Sequence, residues 1–270
     1  MRIAFIGGGN MATALIGGLL QRGFAASDMT VVEIQDEARA RLEQRFGVRT
    51  AVAIPADLGV AEVVLLAVKP QQMCEVARAL QPCIGKQLVI TIAAGIRCDD
   101  LSRWLGGYGR LVRAMPNTPA LVQSAITGLF AATGAHAEDR ACAERILAAV
   151  GETMWLEQES QLDAVTAVSG SGPAYVFYFM ESLQQAAESL GFSTGQARKL
   201  AQATFAGAVK LASDSDEPPA TLRARVTSKA GTTERALQAL EGDGVREAVV
   251  RAVSMAEQRS RELGDEFGKQ

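Results

Sequence analysis

Along roughly the first 160 residues, short aliphatic and β-branched runs alternate with stretches whose apolar positions return at helical spacing. "EVVLLAV" and "QLVITIA" are almost continuously apolar, as strands covered on both faces must be, because both sides of their pleat are buried. Candidate strands fall at 3–6, 30–33, 63–68, 88–92, 111–114, 126–130 and 153–156, with helical patterns between the early ones at 11–21, 37–46 and 71–80. Such alternation predicts an α/β fold built on a parallel, doubly wound sheet.

After residue 162 the strand signals stop. Gly172-Pro173 opens a long helical run, "PAYVFYFMESLQQAAESL", with proline in its first turn, where its missing N–H costs nothing. Further helical stretches follow at 194–213, 219–226, 233–240 and 245–263, and "SDSDEPP" is the one loop of linker composition. The pattern divides the chain into 1–161, an α/β part, and 162–270, an all-helical part. Residues 174–183 are apolar nearly all round (Tyr175, Val176, Phe177, Tyr178, Phe179, Met180). So short a helical domain cannot easily cover such a helix, which favours a subunit interface over a purely intrachain core.

With 270 residues, 48% of them hydrophobic, the chain can build one or two full cores. A net charge of -3 and a pI near 5.4, without a basic stripe, argue against nucleic acid as a partner. No signal-peptide pattern and no uninterrupted apolar run of membrane-spanning length is present, so a soluble, cytoplasmic protein is expected. Cys74, Cys83, Cys98 and Cys142 lie far apart and form neither a zinc pattern nor a disulfide framework. The single histidine, His136 in "GAHAEDR", reads as solvated rather than catalytic and argues against histidine triads and metal sites.

Gly7, Gly9 and Ala12 in "FIGGGNMATA" fit G-x-G-x-x-[GA] directly between a strand and a helix. The first glycine allows the tight turn, the second a close approach of backbone to a pyrophosphate, and the small third residue packs helix on strand. Dinucleotide binding is expected over the segment Ile6, Gly7, Gly8, Gly9, Asn10 and Met11, against the alternative of a tight structural turn. Glu33 ends the second strand; there it would accept hydrogen bonds from ribose hydroxyls and favour NAD(H), although it also reads as a surface charge. Arg39 and Arg41 nearby are possible partners for a 2′-phosphate. Two more strand ends, Ala67, Val68, Lys69 and Pro70 in "AVKPQ" and Ala93, Ala94 and Gly95 in "AAG", fall where open α/β sheets bind ligands. In "RAMPNTPA" Asn117 stands between two prolines, a rigid backbone suited to a binding wall. Ser169, Gly170, Ser171 and Gly172 could cap the next helix or admit a ligand or another chain. Residues 225–240, "RVTSKAGTTERALQAL", interrupt a helical region with hydroxyls and a glycine; taken alone they read as a helix-helix turn with a threonine cap.

Together "IGGGNM", "AVKP", "AAG", "RAMPNTPA", "VSGSGPAY" and "VTSKAGTTERAL" resemble the pyrroline-5-carboxylate reductase family nearly from end to end. The last two are the most specific, because related reductases share the N-terminal domain but not these. The resemblance implies a Rossmann-like dinucleotide-binding domain with a C-terminal all-α substrate and dimerisation domain. It implies reduction of L-1-pyrroline-5-carboxylate to L-proline by NADPH or NADH, in a homodimer, with five dimers in a ring as a further assembly. Carried over, backbone N–H groups around 231–233 (Gly231, Thr232 and Thr233) would bind the carboxylate, the Thr233 hydroxyl would hydrogen-bond the imine nitrogen, and Ser228 would line the site. Such chemistry rests on positioning and needs no strong general base, in keeping with a chain whose only histidine lies elsewhere. Two departures stand out. Lys229 and Ala230 occupy positions where the family usually has Pro and Gly, so Ala230 is strained if its φ must be positive. Glu33 sits uneasily with the family's frequent use of NADPH. Alternatives are another imine or short-chain acid reductase of this architecture, and a non-catalytic dinucleotide sensor, which would bind the coenzyme without turnover.

Overall fold

The structure, a computed structural model, describes residues 1–55, 58 and 60–270. The first part is an eight-stranded sheet in the order β3-β2-β1-β4-β5-β6-β7-β8. Its strands are β1 (Ile3–Ile6), β2 (Met29–Val32), β3 (Arg49–Ala51), β4 (Val63–Leu66), β5 (Leu88–Thr91), β6 (Leu111–Met115), β7 (Ala125–Ala131) and β8 (Gly151–Trp155). Helices α1 (Asn10–Gln21), α2 (Asp36–Phe46), α3 (Met73–Leu80), α4 (Cys98–Trp104) and α5 (Ala137–Leu147) connect them. β1 pairs in parallel with β2 and β4, Ile3 lying opposite both Met29 and Val63.

The sheet alternates as its pleat requires: Ile3 and Phe5 enter one buried cluster with Leu15, Val31 and Leu65. Ala4 and Ile6 enter the other, with Val64, Leu66 and Val89. Covering both faces is why these strands read as continuous apolar runs.

The sheet is parallel, as expected, except at β7, which runs antiparallel to β6, while β8 is parallel to β7. The reason lies in the connection. A parallel return needs a crossover of roughly a dozen or more residues, and β6 is joined to β7 only by the 3-10 turn Thr118–Val122 and its flanks. Besides the short α6 (Gln161–Val165), three elements lie outside the pattern. β3 has only three residues, none of them buried, while α4 and α5 are short and rich in charge, so neither shows a clear apolar stripe.

The chain divides into two compact units, Met1–Ser171 with Ala256–Gln270, and Gly172–Met255. The boundary suggested by strand signals, 161/162, thus differs from the division by packing. Leu162, in α6 (Gln161–Val165), is fully buried, and with Val165 it fills the space above Gly128 of β7. The end of α11 (Val245–Gly268) belongs to the sheet unit, where Phe267 joins its second buried cluster.

A buried polar group fixes that end. Arg113 of β6 is 3% exposed and pairs with Glu159 at 2.9 Å. The Arg113 guanidinium also lies 3.9 Å from Asp163, whose carboxylate accepts the Ser260 hydroxyl at 2.7 Å. Ser260→Ala leaves that buried carboxylate one donor short and is expected to cost roughly 1.5 kcal/mol. Urea unfolding checks this, with the midpoint falling at unchanged slope.

The second unit is helical: α7 (Gly172–Ser189), α8 (Thr194–Ser213), α9 (Pro219–Arg225), α10 (Thr232–Gly242) and the first turns of α11. Within a single chain it buries little. α7, α9 and α10 have no buried residue, and Phe177 and Tyr178 are 64% and 67% exposed. An apolar helix left this open calls for a further surface to cover it. Among the described residues no helix is long and apolar enough to cross a membrane.

Candidate cofactor and substrate sites

The glycine loop follows β1 directly. Gly7 adopts φ +101, and a side chain there would meet the Ala67 carbonyl at 2.7 Å, so both the turn and the close strand neighbour demand glycine. The turn is tied to both flanking strands: Gly7 N–H donates to Val32 (2.8 Å), and Ala67 N–H donates to Ile6 (2.8 Å). Gly9 caps α1, and a Cβ placed on it would meet nothing within 4 Å. No side chain caps this helix, and its first turn carries no acidic residue. Its free N–H groups and the positive end of its dipole are therefore left for an anion.

A cavity of about 1020 Å³ opens here. Its walls include Ile6, Gly7, Gly8, Gly9, Asn10, Glu33, Ala67, Val68 and Lys69 from the expected set. The opening at Gly9, the uncapped helix start and the volume fit the pyrophosphate and adenosine half of a dinucleotide. Other expected residues lie outside the lining. Met11 packs against the sheet core, and Pro70 opens the 3-10 turn Pro70–Gln72. Ala93, Ala94 and Gly95 follow β5, where Gly95 faces Phe267.

Asn117 is also away from the cavity lining, 8% exposed, with both ends of its amide engaged. Its Nδ2 donates to the Ser169 carbonyl (3.1 Å), and its Oδ1 accepts from Ile126 N–H (3.1 Å). It clips the loop between β6 and β7 to a π-helical turn, Thr166–Gly170. The "SGSG" stretch is this π turn running into α7, with the Ser169 hydroxyl donating to Val165, rather than a simple cap.

Part of the cavity lining is marked by no motif in the sequence. It comes from Gln35 and Ile34 after β2 and from Val52, Ala53 and Ile54 after β3. Ile34 is 68% exposed; in the sequence it is only the residue after the strand-ending Glu33, and no motif marks it. Glu33 itself is bound back on the loop: Oε2 accepts from Gly8 N–H and Oε1 from Gln35 N–H, both at 2.9 Å.

In the second unit, the hydroxyl cluster resolves into separate tasks. The Thr227 hydroxyl donates to the Arg223 carbonyl (2.7 Å) and closes α9. Gly231 is the N-cap residue of α10, so Thr232 and Thr233 occupy its first turn and neither threonine is its cap. A Cβ on Gly231 would run into Ser228 Oγ, which explains that glycine. Gly231 N–H is already taken by the Ser228 carbonyl (3.0 Å), and Ala230 N–H by Glu234 Oε2 (2.6 Å). No side chain caps the helix, which leaves the amides of Thr232, Thr233 and Glu234 as its open donors. Thr233 is half-buried, and among the described residues its hydroxyl has no partner.

Ala230 adopts φ 57. A side chain in this left-handed region crowds its own backbone. Ala230→Gly is expected to raise stability by about 1 kcal/mol, the strain relieved less the entropy glycine adds to the unfolded chain. A thermal scan would register it as a higher Tm.

His136 is exposed before α5, where its backbone N–H donates to Asp139 (3.0 Å). The cysteines offer no ready thiolate at Cys98 or Cys142. Burial, reinforced by the Glu159 carboxylate, pushes the Cys98 thiol far up, and burial with Asp139 raises that of Cys142.

Known proteins resemble this chain over nearly its whole length. Residues 159–263 match the family model "Pyrroline-5-carboxylate reductase dimerisation", and residues 2–95 match "NADP oxidoreductase coenzyme F420-dependent". The pyrroline-5-carboxylate reductase of Pseudomonas aeruginosa is 44% identical over 269 residues, covering 99% of this chain and 98% of its own. A solved pyrroline-5-carboxylate reductase from Coxiella burnetii superposes with a TM-score of 0.91 at 39% identity, covering 97% of this chain and 98% of its own. The Plasmodium falciparum pyrroline carboxylate reductase, solved with NADP bound, gives 0.87 at 26% identity over 98% of each chain. With an open glycine loop at one end and the hydroxyl signature at the other, over nearly the whole length of such relatives, the chain belongs to the pyrroline-5-carboxylate reductase family.

Proposed function

We propose that this chain reduces L-1-pyrroline-5-carboxylate to L-proline with NADPH or NADH, the last step of proline biosynthesis. The observation that carries the reading is the uncapped start of α10, with its three open amides (Thr232, Thr233 and Glu234) and a threonine hydroxyl that has no partner among the described residues. A dinucleotide sensor has no use for such an anion site.

When bound, the nicotinamide coenzyme would supply a hydride to the imine carbon of a substrate protonated at nitrogen, the C=N π pair becoming the amine lone pair; the chain supplies placement. Gly7, Gly8 and Gly9 let the backbone approach the coenzyme's pyrophosphate, and the start of α1 offsets its charge. The amides of Thr232 and Thr233 hold the substrate carboxylate, the role assigned to Gly231 passing to its neighbours because its own N–H is spent. The Thr233 hydroxyl holds the ring nitrogen, and Ser228 lines the site. The exposed Lys229, where the family usually has proline, adds a cation near the carboxylate. Fixing two reactants in one geometry supplies up to about 7–11 kcal/mol in favourable cases, so no strong general base is required.

The enzyme works as a homodimer covered along α7, in keeping with the dimerisation model that matches this region. Five dimers in a ring is the further assembly we propose. Its action takes place in the cytoplasm. Following NADH or NADPH absorbance on addition of pyrroline-5-carboxylate tests the reaction: substrate-dependent oxidation with proline as product is expected. Coenzyme binding without turnover would instead identify a sensor. Sedimentation tests the assembly, and a stable, active monomer would remove it.

A further inference from the structure

We propose that Glu33 makes this enzyme select NADH over NADPH. The inference rests on the nicotinamide-dependent reading above and adds to it the identity of the coenzyme. Glu33 follows β2 and lines the cavity beside the glycine loop. In a sheet of this order, the adenosine ribose of a bound coenzyme lies at the end of this strand.

The Glu33 carboxylate is held at both oxygens, by Gly8 N–H and by Gln35 N–H at 2.9 Å each. Each oxygen keeps a further lone pair, so the carboxylate can accept ribose hydroxyls without releasing either amide. A 2′-phosphate offers mainly acceptors and up to two negative charges. Placed against a fixed carboxylate it meets like charge and finds no donor there. Swinging Glu33 aside would break both backbone bonds and leave Gly8 N–H and Gln35 N–H without them.

The nearby cations offset this poorly. Arg39 is already committed: Nη1 donates to the Glu33 carbonyl at 2.8 Å and Nη2 pairs with Asp36. Arg45 stacks over the Phe46 ring with its guanidinium carbon 4.9 Å from the centroid. Arg41 lines the cavity and has no ion pair among the described residues. Arg41, with Lys69 in the same lining, could pull the balance towards NADPH, and these cations make the inference refutable.

The test is titration of the purified full-length protein with NADH and with NADPH, read by nicotinamide fluorescence without substrate. The wild type is expected to bind NADPH at least about tenfold more weakly than NADH, the gap narrowing as salt screens the repulsion. Glu33→Gln removes the charge and keeps an acceptor for the amides. It should narrow the NADPH-to-NADH ratio by about tenfold, a change that mere loosening of the loop, which weakens both coenzymes alike, does not produce. Equal or tighter NADPH binding by the wild type overturns the inference whether or not the variant folds, and so does a folded Glu33→Gln with an unchanged ratio. Failure of the parent reading looks different. A chain that shows the NADH preference but does not turn over pyrroline-5-carboxylate sinks the proposed reaction and leaves Glu33's role standing.

Discussion

Gly9→Val is expected to weaken coenzyme binding by at least about a hundredfold, roughly 2.7 kcal/mol, while the protein stays folded. The separation of these effects comes from the space around this residue. A Cβ on Gly9 meets no protein atom within 4 Å, and its φ of -70 suits any residue, so valine costs the fold little. The space it enters is the cavity mouth in front of α1, where the pyrophosphate must come within hydrogen-bond reach of the helix amides. Gly7→Val offers the contrast. There φ is +101 and the Ala67 carbonyl stands 2.7 Å from the added Cβ, so stability falls as well. Coenzyme titration together with thermal melting reads both. Unchanged affinity in Gly9→Val would make the loop a structural turn and nothing more.

Thr233→Ala is expected to lower kcat/KM by one to two orders of magnitude, roughly 1.4–2.7 kcal/mol of transition-state stabilisation, with Thr233→Ser recovering much of it. Thr233 is not the N-cap of α10, and its hydroxyl has no protein partner, so removing it breaks no bond within the described chain. Alanine in the first turn of a helix is well tolerated. Stability should therefore stay nearly constant while turnover falls, and coenzyme affinity should not move. A variant that melts earlier yet turns over normally would place the hydroxyl in the fold instead of the reaction.

Much of the site could be read without coordinates, and the reasons are local. The glycine loop is legible because strand, turn and helix follow one another within a few residues, and each glycine answers a local demand. Glu33 is legible by its place at a strand end. Asn117 is less so: between two prolines it reads as a binding wall, yet its amide also ties the Ser169 carbonyl, 52 positions away, and Ile126 N–H. A side chain's chemistry can be known from its type, but whether that chemistry is still available depends on partners distant in the chain. Gly231 shows the same at short range, since its amide is consumed by Ser228 and the open donors shift to Thr232, Thr233 and Glu234.

By itself the sequence determined that a parallel-rich sheet precedes a helical region, where the glycine loop lies, and which family the signature segments resemble. These depend on periodicity and on residue types at short spacing, and both are written along the chain. Only the tertiary structure decided that β7 turns antiparallel and that the last turns of α11 pack with the sheet unit. It alone showed Ala230 in a left-handed conformation and Glu33 bound to two amides. Those outcomes are set by loop lengths acting against strand direction and by contacts between residues as far apart as Asp163 and Ser260. Hydrophobic patterning says which face is buried; it does not say what it is buried against.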